Sequence, residues 1–179
     1  MSPRPAPDLD VRRQLIVIAA GNIAESSGWS ALTMRRLADD LCVTQPVLYS
    51  AFPEGRQAVI DAVALEGFSA LSEALEKVEP QPLARMRAYL EFAVSRPRIY
   101  EAMFAMPSGL RFGPDNELEP LRRAFAAIQC AFPGRDLSVS EVAWATVHGL
   151  ATLQLSHRLP ASGADERLEY AHRSLCAMP

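Results

Sequence analysis

Lysine is all but absent from this chain of 179 residues: of 18 basic residues only Lys77 is a lysine. The cationic surface is therefore almost entirely arginine, whose planar fork suits bidentate contacts to carboxylate or phosphate. A basic excess is missing too, since the net charge is -3 and the isoelectric point about 5.6. That excludes a general electrostatic attraction to nucleic acid or anionic membranes, so any DNA binding has to come from local geometry. Glycine (9) and proline (14) are too few for a low-complexity or fibrous chain, and at 49% hydrophobic and 22% charged residues the composition is globular. Cysteine is scarce: Cys42, Cys130 and Cys176 are odd in number and far apart, with no CxxC and no histidine at zinc-finger spacing. This excludes a disulfide framework and suits reduced thiols in a cytoplasm. Long apolar runs are missing as well. The strongest, from Val142 to Leu155, contains His148 and Gln154 and falls short of the roughly 20 residues a membrane span needs. The segment Met1 to Asp10 has three prolines and two acids where a signal peptide would be basic and then apolar, so the expected location is cytoplasmic, with no membrane partner.

What is present is helical periodicity. Apolar residues recur at steps of three and four nearly everywhere, and no stretch shows sustained two-residue alternation, so the expected fold class is all-α. Leu15, Ala19 and Ile23, beside Ile16, Ala20 and Ala24, predict a first helix ended by Gly28. Ile60, Ala64, Phe68, Leu71, Leu75 and Val78 predict a long helix that stops before Pro80 and Pro82. Leu83, Met86, Leu90 and Ala93 mark the next helix, and Pro97 opens a short one to about Met106. A loop from Pro107 to Pro114 and a helix carrying Leu118, Leu121, Phe125 and Ile128, ended by Pro133-Gly134, follow. The last two helices run from Ser138 to about His157 and from Asp165 to about Cys176.

The stretch Ala31 to Phe52 carries the most information. Thr33 is placed to cap a short helix whose apolar face is Met34, Leu37 and Leu41, with Ala38 small enough to let a second helix cross closely. Val43 is expected to fill the bend. Thr44 would cap the second helix, Pro46 sits in its first turn, and Leu48 and Phe52 face inward. Two short helices at a tight turn describe a helix-turn-helix, whose second helix enters the major groove by its N-terminal end.

In the order of these elements the chain resembles the TetR (tetracycline-repressor-like) family of bacterial one-component transcription regulators, in detail over about residues 12 to 64. The pattern LT...LA...V(T)...LY..F carries the likeness. The string from Val142 to Leu150 is similar to the Trp...His-Gly helix of one C-terminal subgroup, and the segment Arg96 to Phe104 suits it. The resemblance implies a helix-turn-helix unit over 1–54 and a ligand-binding and dimerisation bundle over 55–179. It implies that Thr33 and Tyr49 hold phosphates, that Arg35 lies near the DNA backbone, and that Thr44, Gln45 and Pro46 face bases. The partners implied are double-stranded operator DNA, a small-molecule effector and a second copy of the chain; no cofactor or metal is implied. Cys42 stands where the family usually has glycine, Ala51 where it has histidine, and Gly55 where it has lysine, with Arg56 beside it as the substitute phosphate contact. Residues 1–58 hold six arginines (4, 12, 13, 35, 36, 56) against six acids (8, 10, 25, 39, 40, 54), a formally neutral head.

For the effector, Tyr89, Phe92, Tyr100, Met103, Phe104, Trp144 and His148 form the expected pocket, since such sites are mostly apolar with a few polar groups. An uncharged or weakly charged, partly aromatic ligand fits that set unless Arg85, Arg87, Arg96 or Arg98 points inward. Gly149, Leu153, Leu168 and Leu175 are the expected dimer interface. No GxGxxG, P-loop or HExxH occurs, and Gly67 to Leu71 lacks the second glycine of a nucleophile elbow. An enzyme is not expected. The competing reading is a helical interaction module with weak or no DNA binding, favoured by the neutral head.

Overall fold

A computed structural model of the chain describes residues 8–106, 118–132 and 136–177. The described residues are helical without a strand: α1 (Leu9–Ser27), a single 3-10 turn (Trp29–Ala31), α2 (Met34–Asp40), α3 (Gln45–Ala51), α4 (Arg56–Glu76), α5 (Pro82–Ser95), α6 (Pro97–Phe104), α7 (Glu119–Gln129), α8 (Leu137–Leu155) and α9 (Ala164–Cys176). The expected loop from Pro107 to Pro114 and the Pro133-Gly134 stop lie outside the described residues. Described residues within Met1–Gly67 and Arg98–Leu110 form one compact unit, and those within Phe68–Pro97 and Arg111–Pro179 the other. The first unit thus takes in half of α4 and also α6, elements that lie beyond residue 54 in the chain.

In the first unit α1, α2 and α3 pack on one another. Ile16, Ala20, Ile23 and Ala24 are the buried face of α1, while Leu15 is 49% exposed, so the helix is rotated from the stripe centred on Leu15. Gly28 ends α1 at φ 80, a conformation open to glycine. A Cβ on Gly21 would lie 3.7 Å from Ile99 and 3.9 Å from Val63, so α1 faces both α6 and the first half of α4 there. α6 is fastened at its start: Glu25 Oε1 accepts from the backbone N–H groups of Arg98 (3.1 Å) and Ile99 (2.9 Å), and Trp29 Nε1 donates to the Arg98 carbonyl (2.9 Å). A carboxylate on these N–H groups satisfies donors that have no partner within the helix and favours its positive end. Gly67 faces the same helix so closely that a Cβ would come within 2.8 Å of Ile99 Cγ2 and Met103 Sδ.

In the second unit α5 packs on α8 and α9, α7 on α8, and α8 on α9. Tyr89 and Phe92 of α5, Val139, Ala143, Val147 and Ala151 of α8, and Leu168 and Leu175 of α9 are buried. Proline opens α5, and Asp136 accepts from Ser138 N–H (2.8 Å) ahead of α8, which holds its carboxyl below the usual range. Arg123 of α7 grips Glu76 at the end of α4 through both carboxylate oxygens.

Candidate nucleic-acid interface and effector site

Each helix of the helix-turn-helix starts from a threonine, and the two threonines differ. Thr33 Oγ1 accepts from Arg36 N–H (3.1 Å), a true side-chain cap of α2. Thr44 occupies the N-cap position of α3, but its side chain makes no cap bond, contrary to expectation. Pro46 in the first turn has already removed one N–H that a cap would serve, and the exposed Thr44 hydroxyl stays outward.

Between the helices the chain turns through a left-handed residue. Cys42 has φ 53, its N–H donates to Asp39 O (3.1 Å), and the Val43 N–H donates to Ala38 O (2.9 Å). These paired bonds are the usual glycine-type helix stop, here with a side chain in place. Val43 is 37% exposed and does not fill the bend, because the reversal at Cys42 carries the following residues outward. A Cβ in this region costs about 1–2 kcal/mol, and glycine returns part of it through the freer unfolded chain. Cys42→Gly is thus expected to stabilise the protein by about 0.5–1 kcal/mol, raising Tm by about 2 °C, as thermal denaturation can check.

Leu48, Ala51 and Phe52 anchor α3 from beneath, while Thr44, Gln45, Pro46 and Tyr49 lie on its exposed side. Arg13 Nε donates to Ala51 O (3.0 Å) and its guanidinium covers the Phe52 ring, while Arg12 donates weakly to Ser50 Oγ (3.4 Å). The arginine placed at the negative end of α3 compensates it and fixes its angle on α1. Tyr49 lies over Gly55, where a Cβ would come 3.3 Å from its Cε1. Gly55 has φ 73 as well, so it provides both the turn into α4 and the space for this ring. Arg35 is exposed and has no hydrogen bond or ion pair among the described residues.

Arg56 requires a correction. Its Nε donates to Leu32 O (2.8 Å) and its Nη2 to Trp29 O (2.7 Å), so the guanidinium ties α4 to the turn before α2 instead of reaching outward in place of the missing lysine. The two carbonyls have no helical partner for this lone pair, and a fork of two parallel donors satisfies both.

The residues expected at the effector site are divided between the units. Tyr100, Met103 and Phe104 belong to α6 in the first, where Tyr100 and Phe104 rings stand 4.8 Å apart. Tyr89, Phe92, Trp144 and His148 belong to the second. Trp144 Nε1 donates to the hydroxyl of the fully buried Tyr89 (3.2 Å) and its ring meets Phe125 at 5.7 Å. Burial lowers the His148 pKa, which favours the neutral imidazole. His157, the other histidine of this stretch, has φ 56 and ends α8 as Cys42 ends α2. Among the described residues no group of three His, Cys, Asp or Glu side chains could hold a metal.

Of the expected interface residues, Leu168 and Leu175 are 2% and 3% exposed within the single chain. They are corrected from interface to core: the apolar stripe of α9 is spent on its own bundle. Gly149 and Leu153 lie differently. Nothing stands within 4 Å of a Cβ placed on Gly149, and Leu153 is 40% exposed. Val142, Ala145, Thr152 and Leu153 are exposed at helical spacing, an uncharged strip along α8.

Residues 83–177 match the family model described as the tetracyclin repressor-like C-terminal domain. The chain belongs to the TetR family. The regulator is 30% identical over 108 residues to the uncharacterized HTH-type transcriptional regulator YobS of Bacillus subtilis (strain 168), a match covering 57% of this chain and 54% of that one. The alignment thus spans about half the length of the curated relative. A TetR transcriptional regulator from Rhodococcus sp. RHA1 superposes with TM-score 0.69 over 95% of this chain and 98% of its own, at 16% identity. A TetR variant from Acinetobacter baumannii AYE, crystallised in complex with minocycline, superposes with TM-score 0.64 over 90% and 92%, at 20% identity. These likenesses bear on the fold. The regulator's described elements are all helical and include a helix-turn-helix, and no helix among them is long and apolar enough to cross a membrane.

Proposed function

We propose that the regulator is a cytoplasmic repressor that binds palindromic operator DNA as a homodimer and is released by a small molecule held in its C-terminal bundle. The observation that carries this reading is the exposed start of α3, where Thr44, Gln45, Pro46 and Tyr49 stand free above a buried Leu48 and Phe52. Gln45 and Pro46 read base edges, Thr44 assists them, and Tyr49, Thr33 and Arg35 hold phosphates. The uncharged strip of α8 around Gly149 and Leu153 is the dimer face, and Tyr89, Phe92, Trp144 and His148 belong to the effector site. The DNA-reading part extends over about residues 1–54, with the remainder serving ligand and dimer. Gln45→Ala is expected to relax sequence preference, and Tyr49→Phe to weaken all sequences alike by a few-fold. Footprinting on an operator library checks both, and wild-type affinity and preference in both variants would rule out α3 as the reader. A mobility shift with DNA upstream of its own gene tests the regulator against a DNA-free helical module.

A further inference from the structure

Arg85 is the one charged side chain among the described residues that is buried, at 7% exposure. It stands in the first turn of α5, and its Nε and Nη1 are shielded from solvent with no hydrogen-bond acceptor among the described residues. A charged donor left in this state costs stability, so native structures ordinarily pair such groups. One acidic neighbour that feels its charge is already engaged. Glu76, whose carboxyl is held below its usual range first by hydrogen bonding from Arg123 and only weakly by the charge of Arg85, gives both oxygens to Arg123, at 2.8 and 2.5 Å. With both Glu76 oxygens engaged by Arg123, Nε and Nη1 of Arg85 are left without an acceptor among the described residues.

The remainder of the same helix face is aromatic. Tyr89 and Phe92 follow Arg85 at helical spacing, both buried, and Tyr89 accepts from Trp144 Nε1 across to α8. We propose that Arg85 receives the carboxylate of the effector, so that the regulator senses a small organic acid whose apolar body lies along the Tyr89 and Phe92 face of α5. This inference rests on the reading of the second unit as a ligand-sensing bundle and replaces the expectation of an uncharged ligand. An inorganic anion would satisfy the guanidinium but leave the aromatic face unused. A carboxylate oxygen accepting from Nε or Nη1 makes a charge-assisted bond that a neutral acceptor does not match, and the direction of these N–H groups is fixed by the planar guanidinium as it is not in a lysine.

The test uses the full chain, with phenylacetate and octanoate as probe acids, phenylacetamide and octanamide as their neutral counterparts, and sodium phosphate as the inorganic control. The acids at millimolar concentration are expected to raise Tm by several degrees, since a ligand bound to the folded state stabilises it by mass action, and the amides and phosphate are expected not to. Arg85→Met should abolish the shift with acids while leaving the ligand-free Tm equal or higher, because it removes an uncompensated charge and keeps the apolar volume. Arg85→Lys should retain the charge but weaken acid binding roughly tenfold by calorimetry. The proposal is overturned if acids act equally on wild type and Arg85→Met, if phosphate matches the acids, or if Arg85→Met lowers the ligand-free Tm by several degrees. Stabilisation by the amides alone removes the anion from the effector and leaves sensing intact. No response to either class removes both.

Discussion

Leu153→Glu is expected to turn the dimer into a monomer and to weaken binding to a two-half-site operator by about two to four orders of magnitude. Leu153 is 40% exposed in the single chain, so the carboxylate is harmless there, and the Tm of the isolated subunit should hardly move. In a two-fold interface the substitution occurs twice. Each carboxylate would be buried against Val142, Ala145 and Gly149 of the other copy with nothing to pair it, a cost of several kcal/mol. Binding to a single half-site should survive, because the reading helix is untouched. Sedimentation velocity together with titration on one-site and two-site DNA checks the result, and a variant that still sediments as a dimer would show that α8 is not the interface. Leu175→Glu provides the contrast. At 3% exposure it is core, and its charge should unfold the bundle before oligomeric state can be measured.

Arg56→Met carries the second large effect. Removing the donors to Leu32 O and Trp29 O leaves two carbonyls of the turn before α2 without this partner, and a partly buried charge-assisted pair of this kind is worth about 2 kcal/mol. A fall in Tm of about 5 °C is expected, with loosening centred on the start of α2, visible as faster amide exchange there. Had Arg56 held a phosphate, its loss would reduce the salt slope of DNA binding by about one. With the guanidinium turned inward, the slope should stay as it is, and measuring affinity over a salt series separates the two roles.

The contrast between Arg56 and its neighbours shows what could be read beforehand. Thr33, Leu37, Ala38, Leu48 and Phe52 were legible because capping and helical periodicity are local rules, and each of these residues obeys them. The start of α3 followed from the same rules, since burying Leu48 and Phe52 leaves Gln45 and Tyr49 on the other side. Arginine defeats this reasoning. Its residue type predicts exposure, and only the tertiary fold turns Arg56 onto two carbonyls, Arg13 onto the end of α3 and Arg85 into the second unit. Leu168 and Leu175 fail for a related reason. A stripe of leucines states that a face is covered but not by which surface, and here α9 spends its stripe within the chain. The membership of α6 in the first unit likewise depends on long-range contacts: Glu25 and Trp29 lie about 70 positions before the backbone groups they bind.

The inward use of arginine has a consequence for how the proposed repressor would search DNA. Of the basic residues described between Asp8 and Ala58, Arg12, Arg13, Arg36 and Arg56 all donate to groups of the same chain, and Arg35 alone has no such engagement. These acceptors are neutral, so the charges persist but the guanidiniums are tethered away from phosphates. With six arginines balanced by six acids over residues 1–58, the head gains little from long-range steering and has few free contacts to offer random DNA. A repressor of this kind would search mostly free in solution instead of sliding along DNA, with few copies held at wrong sites. On the proposed reading, the lifetime of an operator complex would then rest on the base contacts of α3 and not on the phosphate backbone.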